Sequence, residues 1–168
     1  DGPDMDMVEE YVKDPAVKGI WCVPKYSNPE GVIYSKETID RLANLKAAAK
    51  DFVIMWDNAY CVHEFEGEFV PFEDIISLCA KAGNPDMVYE FASTSKITYP
   101  GAGISVMASS MDNIKYMSKL MGVQMISYDK VNQLRHVLYL KDKKTTLELM
   151  KRHAGIMAPK FKMVLDVL

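Results

Sequence analysis

The chain reads as an α/β protein, a mostly parallel sheet held between two layers of helices (α/β/α). Short apolar runs at Lys18–Pro24, Phe52–Trp56 and Met87–Ala92 have the length and composition of buried strands. Helix-patterned segments separate them, so each strand must rejoin the sheet through a crossover, which gives parallel neighbours. Each run also ends in a polar cluster, and in such sheets ligands bind beyond the carboxyl ends of the strands.

The elements follow in order. Met5–Lys13 is helical, with Met5, Val8 and Val12 near one face. The run Gly19-Ile20-Trp21-Cys22-Val23 stops at Pro24, which has no N–H to offer a ladder. Asn28-Pro29 and Gly31 are turn chemistry. Ser35 is a fitting N-cap, and Glu37 sits in the first turn, where the helix dipole favours an anion. Ile39, Leu42, Ala43 and Leu45–Ala49 are expected to continue that helix.

Phe52–Trp56 is the second strand and runs into Asp57-Asn58-Ala59-Tyr60. Asp74–Ala82 is a helix closed by Gly83-Asn84-Pro85. Met87–Ala92 is the third strand and leads into Ser93-Thr94-Ser95-Lys96. Pro100–Gly103 turns the chain into a fourth strand, Ile104–Ala108. Beyond Asp112 the pattern is helical, with Ile114, Met117 and Met121 spaced three and four apart. Leu147, Met150, Ala154, Met157, Phe161, Val164 and Leu168 mark a long amphipathic helix, which Gly155 and Pro159 should bend.

At 168 residues the chain is one domain or a piece of a larger one. It lacks an initial Met and ends in helical sequence, so a fragment is expected. Twenty Lys and Arg against 23 Asp and Glu leave a charge of −3, which gives no footprint for nucleic acid or an anionic membrane. No apolar run approaches the roughly 20 residues of a membrane span. Three cysteines are too few for a disulfide framework and suggest a reducing, cytoplasmic setting. Cys61, His63 and Cys79 match no zinc spacing, so no metal is expected. The 12 Met read as core packing, His136 and His153 as structural or exposed, and Lys141–Lys144 as a solvated helix start.

Parallel strands would bring Asn28, then Asp57 and Tyr60, then Ser93, Ser95 and Lys96 to one edge. A lysine there can form an imine with an aldehyde if burial or charge keeps its amine partly neutral. Serine hydroxyls and turn N–H groups can hold a phosphate. A carboxylate can keep a pyridine nitrogen protonated, and a phenol and an amide can donate to a phenolate oxygen. Those groups together describe a pocket for pyridoxal 5′-phosphate (PLP).

Three segments, Asn28-Pro29-Glu30-Gly31, Asp57-Asn58-Ala59-Tyr60 and Ser93-Thr94-Ser95-Lys96, resemble in order and spacing the signatures of class I/II aminotransferases of PLP fold type I. The longer phrases Lys18–Pro29 and Ser93–Gly103 resemble a bacterial subgroup associated with aspartate aminotransferase activity. The resemblance implies that Lys96 bonds the cofactor and shuttles the substrate proton. It implies that Asp57 pairs with the ring nitrogen, Tyr60 and Asn28 bond the phenolic oxygen, and Ser93 and Ser95 hold the phosphate.

The same resemblance implies transfer of an amino group between an amino acid, aspartate at best guess, and a 2-oxo acid such as 2-oxoglutarate, by a homodimer. Residues 1–140 would be the later part of the large cofactor-binding domain, and 141–168 a long helix toward a small domain. The fourth strand would run antiparallel. Another fold type I activity (a carbon–sulfur lyase or a decarboxylase) and the ligand-sensing domain of a transcriptional regulator remain open. One departure stands out: many members carry an Arg against the phosphate eight residues after the lysine, where this chain has Ile104.

Overall fold

The computed structural model describes all of residues 1–168. Its elements are α1 (Met5–Tyr11), β1 (Gly19–Cys22), α2 (Lys36–Ala43), β2 (Val53–Asp57), α3 (Ile75–Lys81) and β3 (Val88–Ser93), then a single 3-10 turn (Thr94–Lys96). They are followed by β4 (Ser105–Ala108), α4 (Met111–Gln124), α5 (Lys130–Leu140) and α6 (Lys143–Val167). The strands lie in the order β1-β2-β3-β4. β1, β2 and β3 are mutually parallel and β4 is antiparallel to β3, as the resemblance implied.

Helix starts are set by side chains that accept from otherwise unpaired N–H groups. The Asp4 carboxylate takes the N–H groups of Asp6 and Met7, Ser35 Oγ takes that of Thr38 at 3.1 Å, and Asp74 takes that of Ser77 at 3.0 Å. α2 ends at Ala43 and does not continue to Ala49 as expected. Asn84 Nδ2 donates to the carbonyls of Ala43 (2.9 Å) and Leu45 (3.2 Å), and Ala48 N–H donates to Val12 O (2.8 Å). These long-range bonds occupy groups that a longer helix would use internally. Leu45 and Ala49 are still buried, so their apolar character served packing and not helical periodicity.

The register fixes which residues share a face. Cys22 pairs with Trp56, and Ile54 with Val88. That face is buried against Ile39, Leu42, Ile75 and Cys79 in one core cluster. Trp56 fills its centre, edge-on to Tyr34 at 6.0 Å between ring centroids. The opposite face presents Asp57, Phe91, Ser93 and Met107 to α4 and α5 across a groove of about 830 Å³. The result is the three-layer arrangement, with one interface closed and the other open.

The open side overturns one reading of the sequence. Of the 12 Met only Met5 and Met150 are buried, while Met111 and Met163 are largely exposed. Their spacing is that of apolar helix faces, but α4 buries no residue and α6 only Leu149 and Met150. Those faces are mostly uncovered within residues 1–168, apart from contacts such as Phe161 on Phe65 at 4.7 Å between ring centroids. α6 runs as one helix through Gly155 and Pro159, and Asp142 caps its start by accepting from Thr145 N–H at 2.8 Å. No helix is long and apolar enough to cross a membrane.

Two outcomes are expected for the intact protein. Leu42→Ala or Ile54→Ala, each fully buried, should lower unfolding free energy by about 2–5 kcal/mol in urea titrations. The Asp74 carboxyl is held below its usual range, first by the Ser77 hydroxyl and then by the Ser77 N–H. Its contribution is therefore complete above the ordinary carboxylate pKa and fades as pH falls through the lowered one. Asp74→Ala should cost about 1 kcal/mol at pH 7, and the gap to wild type should close on acidification.

Candidate functional site

The carboxyl ends of β1, β2 and β3 meet at one edge because the three strands are parallel and adjacent. Asp57 closes β2 opposite Phe91, and Asn58 N–H extends the ladder by donating to Phe91 O at 2.8 Å. That extra bond fixes the Asp57 backbone from both sides. Asp57 and Ser93 line the same groove, together with Gly103 and Ser105.

Past Ser93 the chain tightens. Ser93 Oγ lies 2.8 Å from Ser95 Oγ and accepts from Ser95 N–H at 3.1 Å. Thr94 N–H donates to Ile104 O, and Ile104 N–H donates to Thr94 Oγ1, both at 2.9 Å. These bonds press Gly103 against Ser95: a Cβ at Gly103 would stand 2.9 Å from Ser95 N and closer still to its hydroxyl. Only glycine permits this approach. The groove beside Ser93 carries the hydroxyls of Ser93 and Ser105 among apolar side chains such as Phe91 and Met107, with no guanidinium at Ile104.

Lys96 and Tyr60 come together from different strands. Lys96 Nζ sits 5.6 Å from the Tyr60 ring centroid, over its face. His63 Nε2 donates to the Lys96 carbonyl at 3.1 Å, and its ring packs edge-on against Tyr60 at 5.5 Å. All three line a cavity of about 370 Å³ under α6, which contributes Met150, His153 and Phe161. Asn28 lies on the turn after β1, closed by Gly31 N–H donating to Ser27 O at 2.7 Å; Gly31 there has φ +70°. The structure thus joins Lys96 to Tyr60, Ser93 to Ser95, and Asp57 to the Ser93 groove. Asn28 shares the edge without a hydrogen bond to the others.

Two features escaped the sequence reading. Lys25 is 2% exposed, ion-paired with Glu64, donates to Val70 O at 2.9 Å and faces the rings of Tyr26 and Phe69. The pair ties the segment after Tyr60 to the end of β1. Its partners are 39 residues apart, so no local pattern could reveal it. His63, considered above only for metal, instead holds the Lys96 backbone, and its Nδ1 is buried without a partner. Glu90 behind Asp57 accepts from Asn58 Nδ2, and burial raises its carboxyl above the usual range.

PLP, the group the resemblance implies, fits the donor set. The side chains of Asn28, Asp57, Tyr60 and Lys96 spend no hydrogen bond within the chain, and Asp57 and Ser93 face an open groove.

Three parallel strands with an antiparallel fourth and helices on both faces are the α/β arrangement of fold type I aminotransferases. More narrowly, residues 1–168 match the family model for aspartate amino-transferase from end to end, and the chain belongs to that family. It is 46% identical over 168 residues to the aspartate aminotransferase of Corynebacterium glutamicum, covering 100% of this chain and 39% of that protein. A Mycolicibacterium smegmatis protein assigned by name to the aminotransferases is 51% identical over 169 residues, covering 100% of this chain and 40% of that one. The crystal structure of an aspartate transaminase from Corynebacterium glutamicum superposes with a TM-score of 0.98 at 46% identity, covering 100% of this chain and 40% of that one. The chain thus spans about two-fifths of the length of these relatives.

Breaking the buried pair tests its role. Lys25→Met in the intact protein should cost about 3–5 kcal/mol in urea unfolding, because it strands the Glu64 charge. Adding Glu64→Leu should recover most of that loss, and a double variant as unstable as the single one would contradict this account.

Proposed function

We propose that the intact protein is a PLP-dependent aminotransferase that moves an amino group from an amino acid to a 2-oxo acid. The observation that carries this reading is the Lys96 amine, free of any ion pair, over Tyr60 at the strand edge that also bears Asp57 and Ser93. Membership of the aspartate amino-transferase family supports it, and the name of the Corynebacterium glutamicum relative favours aspartate as the amino donor, with 2-oxoglutarate as the acceptor of this proposal.

When bound, the cofactor supplies a protonated ring that draws electrons from the substrate α-carbon. This chain's residues then divide the work. The Asp57 carboxylate holds the proton on the ring nitrogen by charge and hydrogen bond. The Tyr60 hydroxyl and the Asn28 amide donate to the phenolic oxygen. The Ser93 and Ser95 hydroxyls, with the N–H groups of their turn, hold the phosphate without a guanidinium. Lys96 Nζ anchors the cofactor, takes the proton from the substrate α-carbon and returns one on the far side of the transfer.

Residues 1–140 serve as the later part of the cofactor-binding domain, and 141–168 lead toward a second, smaller domain. The working unit is a homodimer in the cytoplasm, a setting consistent with three free cysteines.

Purified intact protein should show an absorbance band from bound PLP and transfer amino groups with ping-pong kinetics. Absence of the band after added PLP contradicts the proposal, and product release without an amino acceptor favours a lyase. Lys96→Ala should abolish transfer, and Asp57→Ala should reduce it by several orders of magnitude. Near-normal turnover in either variant would overturn the assigned roles.

A further inference from the structure

The turn that carries Lys96 is gripped from behind by a helix that makes no hydrogen bond to any of the groups assigned above. Asn132 and His136 lie one helical turn apart on α5, so both project from the same face. Asn132 Nδ2 donates to Ala102 O at 2.7 Å. His136 Nε2 lies 2.8 Å from Thr98 Oγ1, two residues beyond Lys96. Its Nδ1 lies 2.9 Å from Asn132 O, and a carbonyl can only accept, so Nδ1 carries a proton. The His136 side chain is buried, only 6% exposed, on a helix whose neighbouring positions Arg135, Val137 and Leu138 are exposed.

The grip continues to the lysine. The Thr98 N–H, like that of Ile97, donates to Thr94 O, and the two bonds close the turn around Lys96. Asn132 holds the far end of the same loop, beside Gly103 and its approach to Ser95. The α5 start is fixed in turn by Asp129, which accepts from Asn132 N–H at 2.9 Å. A packed histidine with both ring nitrogens engaged by the lysine loop and its own helix is costly to leave half-satisfied. Core packing alone does not require it.

Resting on the function proposed above, we propose that Asn132 and His136 form a clamp on the 98–102 loop and act as positioning residues for Lys96. α5 would thereby set where the amine stands relative to Tyr60 and Asp57 through the backbone of the loop that carries it.

The test uses the intact protein and three variants: His136→Leu, Thr98→Val and His136→Gln. The first two delete the bond from either side, and in the third the Gln Oε1 can still accept from the Thr98 hydroxyl at a similar reach. Hydrogen–deuterium exchange of residues 94–104 is read in cofactor-free protein. The pH midpoint of the bound-PLP absorbance, kcat and KM are read in loaded protein.

His136→Leu and Thr98→Val should each speed exchange over 94–104 roughly fivefold to tenfold while β2 stays as in wild type. Both should shift the absorbance midpoint and lower kcat with KM nearly unchanged, and His136→Gln should restore most of each. Wild-type exchange and midpoint in Thr98→Val, an effect spread equally over β2, or a Gln variant no better than Leu would overturn the clamp. Thr98→Val keeps the side-chain shape, so it decides between these outcomes even if His136→Leu does not fold. A wild-type protein without any PLP band would refute the proposed function, and the exchange measurement would still decide the clamp.

Discussion

Parallel pairing of β2 with β3, Ile54 opposite Val88, governs everything at the edge of this sheet. Side chains alternate along a strand, so a one-residue slip would turn Asp57 and Ser93 into the core and expel Trp56 from it. The same register that buries the apolar face against α2 and α3 therefore aims the polar groups at α4 and α5. Folding energy and site geometry are bound together, because the core cannot be formed correctly with the site formed wrongly.

Two lysines near this edge are managed in opposite ways. Lys25 is fully paired, by a carboxylate, a carbonyl and two aromatic faces, and its role is to fasten the segment after Tyr60. Lys96 has none of these partners and meets only the Tyr60 ring. The contrast follows burial: Lys25, 2% exposed, must have its donors engaged, whereas Lys96 is exposed and makes no hydrogen bond through its amine within the chain. Rigidity for the second comes from its backbone, through His63 on the Lys96 carbonyl and the Thr94–Ile104 bonds.

The strands, their order of appearance and the polar edge were legible in the sequence because they depend on local signals: apolar runs, turn residues and caps. Ser35 and Asp74 cap the helices that their positions implied. The end of α2 was not legible, since Asn84 decides it from 41 residues away. The Lys25–Glu64 pair and the hold of His63 on Lys96 were hidden for the same reason. His136 could be called structural from sequence, but its grip on Thr98, 38 residues earlier, could not be seen. The methionines misled because amphipathic spacing marks a face to be covered, and α4 and α6 leave most of theirs uncovered here.

The long α6 has a mechanical consequence. It begins after its cap Asp142, next to Lys141 with its φ of 60°, and lines the Lys96 cavity from Met150 to Phe161. Twenty-five residues make a rod of about 37 Å at 1.5 Å per residue. Pivoting such a rod by about 5° at Asp142 would carry its far end about 3 Å but Met150 only about 1 Å. Because α6 lines the cavity from Met150 to Phe161, the same pivot would move one end of the cavity wall by about 1 Å and the other by about 2.5 Å, so a tilt of the rod changes the taper of the cavity over the amine.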